Sequence, residues 1–174
     1  MDYKNRIKKL QKKLQKKKLD AFLISQPENR HYLSGYTGGD HGIGETSGLL
    51  LVPAEGRIHL LTDFRYKIQA EQDIPWATIQ IYTKGAVDLL GQLLPDLGIK
   101  KLAFESHYTL FSAAKKMSRA LKKNGIAMIA QEGLIEKMRE IKGEEEIEII
   151  RQSVRLNEAV FTDIYNNFSN YKNE

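Results

Sequence analysis

A chain of 174 residues with 41% hydrophobic and 28% charged residues can bury one core and has an ordinary globular composition, unlike that of a disordered or membrane chain. It has no cysteine, so disulfide scaffolds, thiolate catalysis and Cys-ligated zinc are excluded as well. The net charge of +5 is uneven: residues 1–18 hold nine cations (Lys4, Arg6, Lys8, Lys9, Lys12, Lys13, Lys16, Lys17, Lys18) against Asp2 alone, while the remainder has eighteen cations against twenty-one acids.

In chain order, Tyr3, Ile7, Leu10 and Leu14 make one apolar stripe on a basic helix, the pattern of a surface helix docking one face. No apolar h-region or small-residue cleavage site follows, and no apolar run nears the ~20 residues of a spanning helix, so a cytoplasmic location is expected. No aromatic residues interleave with the lysines as base stacking would require. Neither a membrane nor a nucleic acid is therefore expected as a partner. Residues 20–25 (DAFLIS) read as a strand covered on both faces. Pro27 and Gly35 bracket a short helix over 27–34. A loop with six glycines between Gly35 and Gly48 follows, carrying Asp40, His41 and Glu45. Its glycines and polar side chains predict the most mobile internal segment over 38–46.

Ser47 to Val52 and Arg57 to Thr62, separated by Pro53-Ala54-Glu55-Gly56, predict an antiparallel hairpin. Asp63 is placed to cap a helix that begins at Phe64 and ends near Ile74-Pro75. A strand over Trp76 to Tyr82, a helix over 85–94, a strand over Lys101 to Glu105, a helix over Thr109 to Lys123 and a strand over Ile126 to Ala130 complete the alternation. Leu110, Ala114, Met117 and Leu121 are expected to face inward from the last of these helices. Such alternation implies an α/β fold, a layered mixed β-sheet with helices on both faces. After Gly143, Glu144, Glu145 and Glu146 favour a helix N-terminus. That helix carries Ile147, Ile150, Val154, Phe161 and Ile164 to near Asn166, a stripe with no partner layer in the sequence that follows.

Catalytic motifs are absent. Gly42, Gly44 and Gly48 give GxGxxxG rather than GxGxxG, and a strand rather than a helix follows. His31, His41, His59 and His107 form no HExxH, and Ser25, Ser34, Ser47 and Ser106 lack a GxSxG setting.

Three segments in order carry a family resemblance: Asn29-Arg30-His31-Tyr32-Leu33-Ser34-Gly35-Tyr36-Thr37-Gly38; Thr62-Asp63-Phe64-Arg65-Tyr66; and Arg139-Glu140-Ile141-Lys142 with Glu145 to Ile147 beyond. Together they resemble the creatinase-type N-terminal domain, of ribonuclease H-like fold, that precedes the catalytic domain in Xaa-Pro aminopeptidases and prolidases. The resemblance implies a domain over 1–141, and a linker plus first helix of a C-terminal pita-bread domain over 142–174. In that further domain two divalent ions (Mn, Co or Zn), held by two Asp, one His and two Glu, would hydrolyse Xaa-Pro peptides. None of those ligands has a position here, so this chain alone is expected to be inactive, with no catalytic or metal residue of its own. Its expected partners are the catalytic domain, a second copy in a homodimer and the peptide substrate of the whole enzyme. Asp40, His41 and Glu45 would lie beside that substrate, and Asp63, Arg65 and Tyr66 would be structural. The alternative is a non-catalytic peptide- or protein-binding module of a pseudo-peptidase, resembling histone-chaperone subunits of this fold.

Overall fold

The computed structural model describes residues 1–40, 42 and 44–168. It divides into two compact units, Asp2–Glu136 and the stretch from Lys137 onward with Met1. In the first unit one six-stranded mixed sheet has the order β4-β3-β2-β1-β5-β6. The strands are β1 (Ala21–Ile24), β2 (Leu49–Pro53), β3 (His59–Thr62), β4 (Thr78–Ile81), β5 (Lys101–Glu105) and β6 (Ala127–Gln131). The antiparallel pairs are β1 with β2 and β2 with β3; the parallel pairs are β1 with β5, β3 with β4 and β5 with β6.

Helices α1 (Tyr3–Lys16), α2 (Pro27–Ser34), α3 (Lys67–Asp73), α4 (Ala86–Asp96) and α5 (Phe111–Lys122) surround the sheet. Side chains of successive strand residues point to opposite faces. Ala21, Leu23, Leu49, Leu51, Leu61 and Leu102 pack with Leu90 and Leu94 of α4 and with Met117 and Leu121 of α5. Phe22, Ile24, Leu50, Val52 and Leu60 are buried on the opposite face, the side where α1 meets β2 and α2. The stripe of α1 is spent on this packing, since Ile7, Leu10 and Leu14 are all buried. Each such side chain contributes about 1.5–3 kcal/mol, so the lysines of α1 ride on a helix held by three apolar anchors.

Two predicted elements differ in detail. Leu110 is 44% exposed because the last large helix of this unit starts at Phe111, which leaves Leu110 outside as its N-cap residue. The helix expected from Phe64 begins instead as a 3-10 turn, Phe64–Tyr66, and becomes α-helical only at Lys67. Beyond the sheet, α6 (Glu136–Arg139) crosses the boundary between the units and α7 runs Glu144–Asn167. Glu144, Glu145 and Glu146 occupy its first turn, and Glu146 accepts from the Gly143 N–H at 3.0 Å. None of the residues of α7 is buried.

Gly35 closes α2 in the left-handed conformation (φ 85°), donating to the His31 carbonyl at 2.8 Å. A Cβ there would lie 2.8 Å from the Tyr3 ring of α1, so the residue joins two demands, a helix stop and a close approach. Gly35→Ala is expected to lower the unfolding free energy by about 1–3 kcal/mol, read from urea denaturation; an unchanged midpoint would contradict this role.

Candidate functional site

The parallel neighbours β1 and β5 leave the sheet in opposite directions: β1 is followed by β2 on one side and β5 by β6 on the other. A crevice outside the carboxyl ends of two such strands is where α/β sheets place ligands. Here the carboxyl ends supply Ser25 and Glu105, and the loop from Gly35 to Gly48 comes from the antiparallel side.

That loop is held from within by Arg30 of α2, which is fully buried. Its Nη1 donates to the carbonyl of Ser25 at 3.1 Å, Asp40 Oδ2 at 3.1 Å, Thr46 Oγ1 at 3.0 Å and the Gly48 carbonyl. Its Nη2 donates to the Gly38 carbonyl, Asp40 Oδ1 and Ser47 Oγ, each at 2.9 Å. The Asp40 side chain is only 2% exposed and also accepts from the Ser47 N–H at 2.7 Å. Tyr36 packs beneath, its ring 5.7 Å from the guanidinium and its hydroxyl donating to the Ser47 carbonyl at 3.0 Å; burial pushes its phenol above the ordinary range. Farther out, Thr37 donates through its N–H and its hydroxyl to Asp73 at 2.8 and 2.7 Å.

A carboxylate cluster sits on the other face of the crevice. Glu105 is 1% exposed and accepts from the Ser25 N–H at 2.6 Å, the Gln26 N–H at 2.7 Å and Asn29 Nδ2 at 2.7 Å. It thereby anchors the entry to α2, whose N-cap residue makes no side-chain cap of its own. Asn29 Nδ2 also reaches Glu136, and His107 Nε2 lies 3.2 Å from Glu136 and 3.1 Å from Gln26 Oε1. Burial outweighs the bonds from Gln26, Asn29 and Ser25 and pushes the Glu105 carboxyl above its ordinary value.

The structure brings Asp40 and Glu45 to one cavity of about 170 Å³, together with Ser25, Thr46, Tyr108 and Thr109. His41 lies outside the described residues. Asp40 is thus turned inward, where the sequence reading had an open polar loop; its neighbours Gly42, Gly44 and Glu45 are exposed. Asp63, Arg65 and Tyr66 make a cluster after β3, outside that cavity. Asp63 accepts from Arg65 N at 2.9 Å, Nε at 3.0 Å and Nη2 at 2.7 Å, and Arg65 stacks 5.3 Å from the Tyr66 ring. The Arg65 guanidinium holds the Asp63 carboxyl below the usual range. His59 is buried among strands and its imidazole is pushed toward neutrality by burial. Arg30 and Glu105 went unremarked as site residues in the sequence; for Arg30 the available signal was a charged residue within a short helix between apolar segments, and for Glu105 a carboxylate closing an apolar strand. Among the described residues no group of three or more His, Cys, Asp or Glu is arranged to hold a metal ion.

The profile of the creatinase/prolidase N-terminal domain matches residues 6–141. The chain belongs to that family. An uncharacterized peptidase, YqhT, of Bacillus subtilis is 25% identical over 146 residues, covering 84% of this chain and 38% of its own length. An Xaa-Pro dipeptidase from Bacillus anthracis superposes with a TM-score of 0.83 at 27% identity, covering 94% of this chain and 43% of that one. The N-terminal domain of the cytoplasmic peptidase PepQ from Mycobacterium tuberculosis superposes with a TM-score of 0.66 at 32% identity, over 76% of this chain and 97% of that domain. The chain therefore spans about two fifths of the longer relatives. No helix among the described residues is long and apolar enough to cross a membrane.

Two outcomes test the site. Asp40→Ala strands a buried guanidinium and is expected to cost about 3–5 kcal/mol of stability by urea denaturation; a loss under about 1 kcal/mol, the size of a surface pair, would mean that Arg30 is not held by Asp40. For Glu105, a carboxyl whose folded value is raised gives stability that is present below the unfolded value and lost as pH rises through the folded one. The ordinary value is 4.5. Glu105→Gln removes that loss, so its stability relative to the parent protein rises as pH climbs above the ordinary value, and a difference that stays flat contradicts the assignment.

Proposed function

We propose that this chain serves as the non-catalytic N-terminal domain of a proline-specific metallopeptidase, supporting oligomerisation and governing substrate access to a metal centre in a following catalytic domain. The observation that carries this reading is the pair of coverages: the chain matches 97% of an isolated peptidase N-terminal domain but 43% of a whole Xaa-Pro dipeptidase. A hydrolytic centre of that kind needs ligands that make a metal-bound hydroxide, and the fold described above devotes its buried carboxylates to holding backbone and guanidinium. Glu105 caps the entry to α2 and Asp40 neutralises Arg30. Glu45, exposed on the loop beside them, has no such duty among the described contacts and would be a loop side chain that meets the peptide. In this reading residues 1–141 form the domain, and 142–174 form the connector and the first helix of the catalytic part. A cytoplasmic location and pairing of two copies belong to the same reading.

The purified chain is expected to release no product from an Xaa-Pro dipeptide with manganese, cobalt or zinc added; turnover that co-elutes with the chain would overturn the non-catalytic assignment. Within the polypeptide that carries both domains, Glu45→Ala is expected to change kcat/KM on Xaa-Pro peptides with Tm unaltered. Unchanged kinetics would remove the loop from the substrate path. Asp40 is unsuited to that experiment, because its loss acts first on folding.

A further inference from the structure

We infer that the cavity between Leu23, Phe104 and Met117 is a binding site for a compact apolar group carrying a protonated amine, of the kind presented by the N-terminal residue of an apolar peptide. The inference rests on this unit of the chain alone and holds whether or not the peptidase reading does.

Position is the first reason. Leu23 and Ser25 come from the end of β1, Phe104 from the end of β5, and Tyr108 and Thr109 from the segment after β5. The cavity thus occupies the carboxyl-end crevice between parallel neighbours whose chains depart to opposite sides, the preferred ligand position in such sheets. It reaches the surface, since Gly44, Glu45, Leu110 and Ala113 on its border are exposed.

Size is the second. The volume is about 170 Å³, close to the ~150 Å³ apolar cavity that takes up benzene and well below the ~300 Å³ at which drug-sized sites begin. One ring or one branched aliphatic side chain fills it, and the rest of a larger ligand would lie outside the mouth.

Lining chemistry decides the charge. Leu23, Leu49, Phe104, Leu110, Ala113 and Met117 give an apolar body. The polar border consists of hydroxyls and the carboxylates of Asp40 and Glu45, with no lysine or arginine among the lining residues. Asp40 is committed to Arg30, which leaves Glu45, among the described lining residues, as the charge that a ligand would meet. An anionic group would enter against that carboxylate, whereas an ammonium gains an ion pair at the mouth while its apolar body leaves water.

Three ligands that share one ring but differ in charge provide the test: benzylamine, benzyl alcohol and phenylacetate, titrated into the ¹⁵N-labelled chain and followed by amide chemical shift. Saturable shifts centred on Leu23, Ser25, Phe104, Tyr108 and Met117 are expected, with benzylamine the tightest and phenylacetate the weakest. Glu45→Gln should weaken benzylamine by up to about fivefold, the size of an exposed ion pair, and leave benzyl alcohol unchanged. Ala113→Phe, at an exposed position on the border, should abolish binding of all three while the dispersed spectrum persists. The site is refuted if no ligand gives saturable shifts in the parent chain. The amine assignment is refuted if phenylacetate binds as tightly as benzylamine or if Glu45→Gln leaves benzylamine binding unchanged.

Discussion

The crevice side of this domain depends on one guanidinium that never meets water. Arg30 is delivered by the second turn of α2 into the space between β1 and the glycine-rich loop. A buried cation of this kind is tolerable only when it is paired and most of its donors are satisfied; here both Nη groups are, while Nε finds no partner among the described residues. The pairing is with a single carboxylate, and most of the remaining acceptors are main-chain carbonyls and hydroxyls of the loop itself. Satisfying Arg30 therefore fixes the path of Gly38, Asp40, Thr46, Ser47 and Gly48 at once. A segment rich in glycine, which costs conformational entropy to order, is tied down at its two ends, while Gly42, Gly44 and Glu45 are exposed.

Glu105 does a related job from the opposite strand. Among the described residues no ion pair reaches it, yet its carboxyl gathers two backbone N–H groups and an amide, so burial and hydrogen bonding oppose each other at one group. The two buried charges meet the same short helix: Glu105 holds its entry and Arg30 projects from its middle. The position of α2 thereby sets both the crevice floor and the loop that borders it. This explains how a segment of eight residues, too short for independent helical stability, can organise a site.

The second unit follows different physics. Its long helix α7 leaves Ile149, Ile150, Val154, Val160, Phe161 and Ile164 about half exposed or more, and Phe161 stacks with Tyr165 at 6.3 Å between centroids. Acidic residues in the first turn and an N-terminal capping contact from Glu146 stabilise such a helix locally. Family membership rests on residues 6–141, and about three fifths of the longer relatives have no counterpart here.

The sequence determined the element order, because that information is local. The 3.6-residue stripe of α1, the Pro27 and Gly35 boundaries of α2, the Pro-Ala-Glu-Gly hairpin turn and the near-continuous apolar runs of β1 and β2 each depend on neighbours a few positions apart. Family membership was legible for the same reason, as short segments in a fixed order. What only the tertiary structure decided was the fate of the charged residues. Arg30 and Asp40 are ten positions apart, and Ser25 and Glu105 are eighty apart; no periodicity reports that such residues will share one buried space. Asp40 read as an exposed loop carboxylate because aspartate usually stays in water, and the structure buries it as the partner of the buried Arg30. The cavity was equally out of reach, being formed where β1, β5, α5 and the loop converge from distant parts of the chain.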